Sequence, residues 1–297
     1  MVAFILSLTA SAVLLRIVAN PLSNVFQKQL TQRAAEPLFV ISATYGFLGL
    51  ACLVAWPQLR FVGLPVVFWQ SIGLAGLLAM LGNVFLVKAL HIGDLSVLGP
   101  INAYKSVVGM LVGLLLLHEV PGGWGLAGVG LIVGGSYLVL SNGRSSSRFS
   151  WSMIARPEIR LRLAALVCSA VDGVLLKKAI LLSTPTVAFF FWCAFGFVFT
   201  LIWILVAMRR AWVVQTKLLI SEKFTFMGLF VTVGITQMAS NVALERLPVG
   251  YALALFQTSA LLSVLFGYRF FREQDISRKL IGAAVMVTGA VLIVLLG

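Results

Sequence analysis

Apolar residues run through this chain in long blocks, and polar residues gather between the blocks rather than alternating within them. Ten blocks stand out, at about residues 3–25, 37–56, 66–88, 95–117, 122–140, 161–182, 186–207, 224–244, 249–270 and 279–296. Each is close to the roughly 20 residues that a helix needs to cross a bilayer. Prolines and charges punctuate them, as at Glu36-Pro37, Trp56-Pro57, Glu119-Val120-Pro121 and Leu247-Pro248. A membrane barrel alternates apolar and polar residues, and this chain does not. The spans are therefore expected as helices, which satisfy their own backbone in lipid. Trp56, Trp69, Trp124, Trp151 and Trp212 fall near block ends, where indole rings anchor at the membrane interface.

The pattern also repeats. From Ala89 to Gly135 and from Ala243 to Gly289 the chain holds one constant offset. Ala89 matches Ala243, Gly113 matches Gly267, Glu119 matches Glu273, Gly128 matches Gly282 and Gly135 matches Gly289. Apolar segments match one another loosely, so the glycines and the glutamate carry this signal. It predicts two halves of one architecture, residues 1–141 and 161–297, with a basic linker at 142–160.

Composition sharpens this picture. Residues are 61% hydrophobic and only 10% charged, which excludes an ordinary soluble domain. The N-terminal MVAFILSLTASAVLL has no basic leader and runs into a span, so it is expected to be retained. Cys52, Cys168 and Cys193 are isolated in apolar segments and suggest neither a metal site nor a disulfide framework. The net charge of +13 sits in short connections without a nucleic-acid motif, so no nucleic-acid partner is expected. Orientation and anionic lipid explain that charge better.

Connections after odd-numbered spans carry Lys28, Arg33, Lys88, Arg162, Arg209, Arg210, Arg269, Arg272 and the linker arginines, among others. Those after even-numbered spans carry only Arg60, Lys177, Lys178 and Arg246. The positive-inside rule then places the odd connections in the cytoplasm and both termini outside. Five spans per half make equivalent spans cross in opposite directions. The expected fold is therefore an all-α membrane protein of ten transmembrane helices, built as two inverted five-helix repeats.

With these features the chain resembles the EamA-type branch of the drug/metabolite transporter superfamily. The carrying residues are Gly113–Glu119 with Gly128–Gly135, and Gly267–Glu273 with Gly282–Gly289. Asn20-Pro21, Asn24 and Lys28 in the first span, with Gly173 and Lys178 in the sixth, support it. The resemblance implies a central cavity lined mainly by spans 1, 3, 4, 6, 8 and 9, with spans 5 and 10 at the periphery. It implies carriage of small metabolites, driven by protons or by exchange. Asn20-Pro21 stands where many members have a Trp-Gly pair, so an aromatic lining in span one does not transfer. Several members are drawn with both termini cytosolic, against the charge count kept here.

A charge placed in mid-span costs roughly 2.5–3.5 kcal/mol on insertion scales, so such residues point to function. Lys105 in span four and Asp172 in span six qualify, and Arg16 is a secondary candidate. Lys105 suits a carboxylate or phosphate, and Asp172 suits an amine or a carried proton. A structural Lys105–Asp172 ion pair is the competing reading, and Arg16 has its own alternative in snorkelling or in carbonyls freed near Pro21. Asn83 matches Gln237 at the repeat offset, so two amides can flank a midplane ligand or bond between helices. Asn241 lies one turn beyond Gln237. Asn20, Asn24, Asn102, Tyr104 and Gln257, with Thr258, form a further polar ring, and Pro100 frees a backbone carbonyl in span four. Lys28, Lys88, Asp94, Lys177 and Arg246 are expected to be solvated or snorkelling at span ends. Glu119 and Glu273 are expected to satisfy backbone donors at turns. The spacings Gly109/Gly113 and Gly130/Gly134 allow close helix approach, within a monomer or in a homodimer.

No hydrolase, zinc or nucleotide-loop constellation is present, so neither catalysis nor a cofactor is expected. The leading expectation is a secondary transporter of a small anionic or zwitterionic metabolite in a bacterial inner (plasma) membrane. A flippase for a lipid-linked substrate and a non-transporting scaffold are the alternatives.

Overall fold

The computed structural model describes residues 2–54, 63–105, 107–108, 122–140, 155–207, 211–247 and 249–296. Helices α1 (Val2–Gln32), α2 (Pro37–Cys52), α3 (Val66–Ile92), α4 (Leu95–Ile101) and α5 (Gly123–Leu140) come from the first half. Helices α6 (Pro157–Leu181), α7 (Pro185–Ala207), α8 (Ala211–Ser221), α9 (Lys223–Arg246), α10 (Val249–Gln257), α11 (Ser259–Phe271) and α12 (Ile276–Leu296) follow. Among the described residues there is no strand.

Among the described residues, five helices are long and apolar enough to cross a membrane by themselves: Leu8–Gln32, Val66–Ile92, Pro185–Val206, Lys223–Arg246 and Ile276–Ile293. Helix α6 is as long, but Arg160, Arg162, Asp172, Lys177 and Lys178 lower its hydropathy. Leu14, Leu50, Leu205, Val206 and Ile281 are exposed on the outside of the bundle, as a lipid-facing surface requires.

Halves interleave. Helix α3 packs along α6 and α7, α1 along α9, and α2 along α7. The tightest seam is α5 against α12, which cross antiparallel. A Cβ on Gly128 would lie 2.6 Å from the Gly289 oxygen, and one on Gly135 would lie 2.7 Å from the Gly282 oxygen. Only glycine allows backbones this close. The glycines that mark the repeat in sequence thus meet crosswise in space, Gly128 at the counterpart of Gly135 and Gly135 at the counterpart of Gly128. Gly130 and Gly134, expected at a helix contact, have nothing within 4 Å of a Cβ position. They lie off the face that Gly128 and Gly135, two turns apart, present to α12. Gly109, Gly113 and Glu119 lie outside the described residues.

Two expected spans are interrupted. The helix begun at Leu95 ends at Ile101, turns at Asn102 and Ala103, and is helical again at 104–105. Pro100, which has no N–H, tightens this stretch: Asn102 N–H donates to Gly99 O (3.1 Å) and Ala103 N–H to Pro100 O (2.9 Å). The ninth span divides into α10 and α11 around Thr258, whose N–H reaches back only to Leu255 O (3.2 Å). Where the two interruptions meet, Asn102 Nδ2 donates to Gln257 Oε1 (3.0 Å). The first span, by contrast, runs on past 25 to Gln32 and carries Pro21 inside it.

Candidate functional site

A cavity of about 170 Å³ opens among α1, α3, the segment after α4, α6, α9 and α10, with Trp192 of α7. These are the helices that the resemblance implied, and α5 and α12 supply no lining residue. The prolonged α1 contributes a polar stripe, Arg16, Asn20, Ser23, Asn24 and Gln27, at helical spacing. Helix α6 contributes Arg162, Ser169, Asp172 and Gly173, again on one face.

Of the residues singled out from the sequence, Arg16, Asn20, Asn24, Asn83, Asn102, Lys105, Asp172 and Gln237 all line this cavity. Tyr104, Asn241 and Gln257 do not. The Tyr104 hydroxyl lies 2.8 Å from Ser136 Oγ of α5. Asn241 is fully buried, accepting from Gln237 Nε2 (3.1 Å) and donating to Pro185 O (3.0 Å). Gln257 is equally buried and bound to Asn102. Their amide and hydroxyl groups join helices, which is the alternative reading of intramembrane polar residues.

Lys105 and Asp172 both face the cavity and feel each other's charge, yet no ion pair within 4.0 Å joins them. Asp172 Oδ1 and Trp192 Nε1 are buried without a hydrogen bond of good geometry, although the two side chains lie close enough to interact. So are Arg16 Nη1, Gln27 Oε1 and Thr236 Oγ1, which line the same space. Burying such atoms unpaired costs roughly 1–3 kcal/mol each, more for charged groups. Five of the seven such atoms among the described residues belong to the lining of this one cavity.

Arg16 does not snorkel. Its Nε donates to Ser240 Oγ (3.2 Å), and its guanidinium lies 4.0 Å from the centre of the Phe256 ring. Arg162, assigned by charge counting to a cytoplasmic connection, is instead buried in the lining. Its Nε donates to Leu98 O (2.9 Å), a carbonyl released when the tight turn after Pro100 takes Asn102 N–H to Gly99. The spacing of Arg162, Ser169 and Asp172 along one helix face is the signal that could have found it.

A second buried cluster sits where α3 turns into α4. Lys28 is buried, against the expectation of a solvated span end, because α1 continues beyond it. It donates 2.8 Å bonds to Gly93 O and to Glu273 Oε1. Glu273 also accepts from Leu95 N–H and Ser96 N–H, each at 2.8 Å, and so holds the start of α4. Burial works to raise the Glu273 carboxyl, but the Lys28 ammonium and the Ser96 hydrogen bonds outweigh it and hold it below its ordinary value. Gly267 has no room for a side chain here: a Cβ would lie 2.5 Å from Glu273 Oε2. Lys279 completes the cluster by donating to Ser96 Oγ (2.8 Å) and approaching Asp94 Oδ2 (3.4 Å). Lys177, also expected to be solvated, donates to Leu247 O (2.5 Å).

These features define a helical integral membrane protein with a polar, cation-rich cavity between two halves. The model of the EamA-like transporter family matches residues 3–141 and again residues 157–295. The chain belongs to this family of membrane transporters, within the drug/metabolite transporter superfamily. Twenty-nine chains of solved structures match it. One, titled only "Crystal structure of protein", is 19% identical, with 95% of this chain and 96% of that one covered at a TM-score of 0.63. That likeness concerns the fold alone. No curated protein matches the chain.

Proposed function

We propose that this protein is a secondary transporter that carries a small anionic or zwitterionic metabolite by alternating access. In this reading the chain crosses the membrane ten times, as inverted repeats 1–141 and 161–297 joined by the linker 142–160. The membrane is a bacterial inner membrane, with both termini outside. The observation that carries the proposal is the gathering of unpartnered buried polar atoms from α1, α6, α7 and α9 at one cavity. Supporting the inversion is the antiparallel α5–α12 seam, in which Gly128 faces Gly289 and Gly135 faces Gly282, each meeting the repeat equivalent of the other as a two-fold axis requires. The meeting of two interrupted helices at Asn102 and Gln257 supports a midplane site, since broken helices expose backbone only where protein or a cavity receives it.

Substrate enters a space framed by Arg16, Asn83, Lys105, Asp172 and Gln237. Lys105 takes an anionic group, and Asp172 takes an amine or carries a proton for coupling. Small volume and polar lining favour a compact metabolite over a lipid-linked substrate, whose tails need a wide apolar groove. The test is uptake into liposomes holding the purified protein, with amino acids, sugar phosphates and nucleotide sugars as candidates. Lys105→Ala and Asp172→Asn are each expected to lower uptake of the true substrate at least tenfold. Unchanged uptake in both variants, at equal protein incorporation, would remove the cavity from the transport path.

A further inference from the structure

Charge in the cavity is unbalanced in a way that narrows the ligand further. Arg16, Lys105 and Arg162 all contribute to the lining and lie within mutual electrostatic reach. Among the described lining residues Asp172 is the only acidic side chain. Lys105 and Asp172 sum to zero whether they stand as an ion pair or pass one proton between them. Two guanidiniums then remain, and arginine does not give up its proton in proteins. The cavity therefore holds two positive charges that no protein carboxylate offsets.

Both guanidiniums are held in the same manner. Each spends its Nε on the protein, Arg16 on Ser240 Oγ and Arg162 on Leu98 O. Arg16 Nη1 is buried with no partner, and Arg162 is buried as well, bound to the protein through its Nε. With Nε engaged, the part of each guanidinium left for a ligand is its terminal Nη edge, a planar fork that matches two oxygens of one carboxylate or phosphate. Phe256 beneath Arg16 and the carbonyl behind Arg162 fix those planes before a ligand arrives.

Resting on the transport reading above, we propose that the ligand of this cavity is a small dianion, with Arg16 and Arg162 as its recognition forks. A phosphomonoester and a dicarboxylate share that chemistry. The first gathers both forks on one group, and the second gives each fork its own carboxylate. Lys105 and Asp172 remain for the rest of the molecule, where a hydroxyl or amine meets Asp172.

Purified protein in nanodiscs of zwitterionic lipid, titrated at constant ionic strength, tests this. The probes are glycerol phosphate and inorganic phosphate for one source, succinate for the other. Succinamate, methanesulfonate and glycine serve as partners of lower charge. Ligand that binds only the native state raises the melting temperature, which gives the readout. At least one dianion is expected to bind tenfold or more tightly than its lower-charge partners. Arg162→Gln and, separately, Arg16→Gln are expected to weaken that dianion tenfold or more and erase the preference. Arg162→Lys, which keeps the charge but loses the fork, recovers only part. Phosphomonoester preference over succinate, or the reverse, assigns the source.

Equal binding of lower-charge partners, a preference untouched by both arginine variants, or no response to any dianion overturns the inference. Uptake of a monoanion or zwitterion that needs Lys105 and Asp172 but neither arginine overturns it while leaving the transport reading intact. Dianion binding of the expected kind with no uptake in liposomes has the opposite meaning: the site stands and the transport reading falls.

Discussion

Two clusters of buried charge lie in this protein, and they treat their polar atoms in opposite ways. At the α3–α4 corner, Glu273 accepts from one ammonium and two backbone N–H groups, and Lys28 bonds both that carboxylate and Gly93 O. In the cavity, Arg16 Nη1 has no partner, and Asp172 Oδ1 and Trp192 Nε1 make no hydrogen bond of good geometry although the two side chains lie close enough to interact. The residue types are the same, so burial alone does not separate structure from function. Saturation does. A saturated cluster has spent its hydrogen-bonding capacity on holding helices together, and an unsaturated one keeps it for something that comes and goes.

The comparison breaks most sharply at Glu273. Glu273→Ala strands a buried ammonium and two N–H groups at once, and breaking a buried pair in this way costs about 3–5 kcal/mol. A large fall in melting temperature in detergent is expected; a variant that melts beside the parent would sink the claim that the corner is structural. Acid should act on the same group. The carboxyl lies below its ordinary value of 4.5 in the folded protein, so its contribution is complete above that pH and is lost as pH falls through the lower folded value. Glu273→Gln should remove that acid-sensitive step from the melting curve while lowering the whole curve.

Gly267→Ala probes the same corner by volume instead of charge. The new methyl would press on Glu273 Oε2, and overpacking of this kind costs about 1–3 kcal/mol. An intermediate loss of stability is expected, together with a weaker acid step. Equal melting temperatures for this variant and the parent would show that the corner yields easily, contrary to its dense hydrogen bonding.

This contact also explains something visible in the sequence. Glycine and glutamate six residues apart recur in both halves, and in the second half they touch. Position along each span was a usable guide, because a run of apolar residues measures it directly: Asn83, Lys105, Asp172 and Gln237, each well inside its apolar block, all line one cavity. Direction around each helix axis was not legible. Tyr104, Asn241 and Gln257 sit at suitable depths but turn toward Ser136, Pro185 and Asn102. Lys28 and Arg162 were misplaced for a related reason. Both stand near the basic ends of apolar blocks, where charge suggests solvent, and only the actual ends of α1 and α6 carry them inside.

On the unsaturated side, Lys105→Met should separate binding from stability. It removes a cation that repels Arg16 and Arg162 and makes no ion pair with Asp172, so the repulsion relieved offsets the attraction lost. The melting temperature of the ligand-free protein is expected to change by the equivalent of less than about 1 kcal/mol, in contrast to Glu273→Ala. Ligand-induced stabilisation should nonetheless fall at least tenfold in concentration dependence. A variant as unstable as Glu273→Ala would place Lys105 among the structural charges and erase the distinction drawn above.

The smallest effect is expected between the two extremes, at Asn83. Its Nδ2 donates to Tyr45 Oη (3.0 Å) and to Ala79 O (2.9 Å), so both of its donor hydrogens are engaged by helices while the residue also lines the cavity. Asn83 is half saturated. Tyr45→Phe removes one of those anchors without changing the cavity wall, and interhelical bonds of this kind are worth about 0.6 kcal/mol in a membrane. The melting temperature should drop by that small amount, and the amide should gain freedom to turn. If its carbonyl meets a hydroxyl or ammonium of the ligand, loosening it weakens binding two- to threefold, more than the stability change alone transmits to a folded protein. Isothermal titration beside a melting curve separates the two quantities. Stability lost with affinity unchanged would assign Asn83 wholly to the saturated class, as a tie between α2 and α3 that happens to border the cavity.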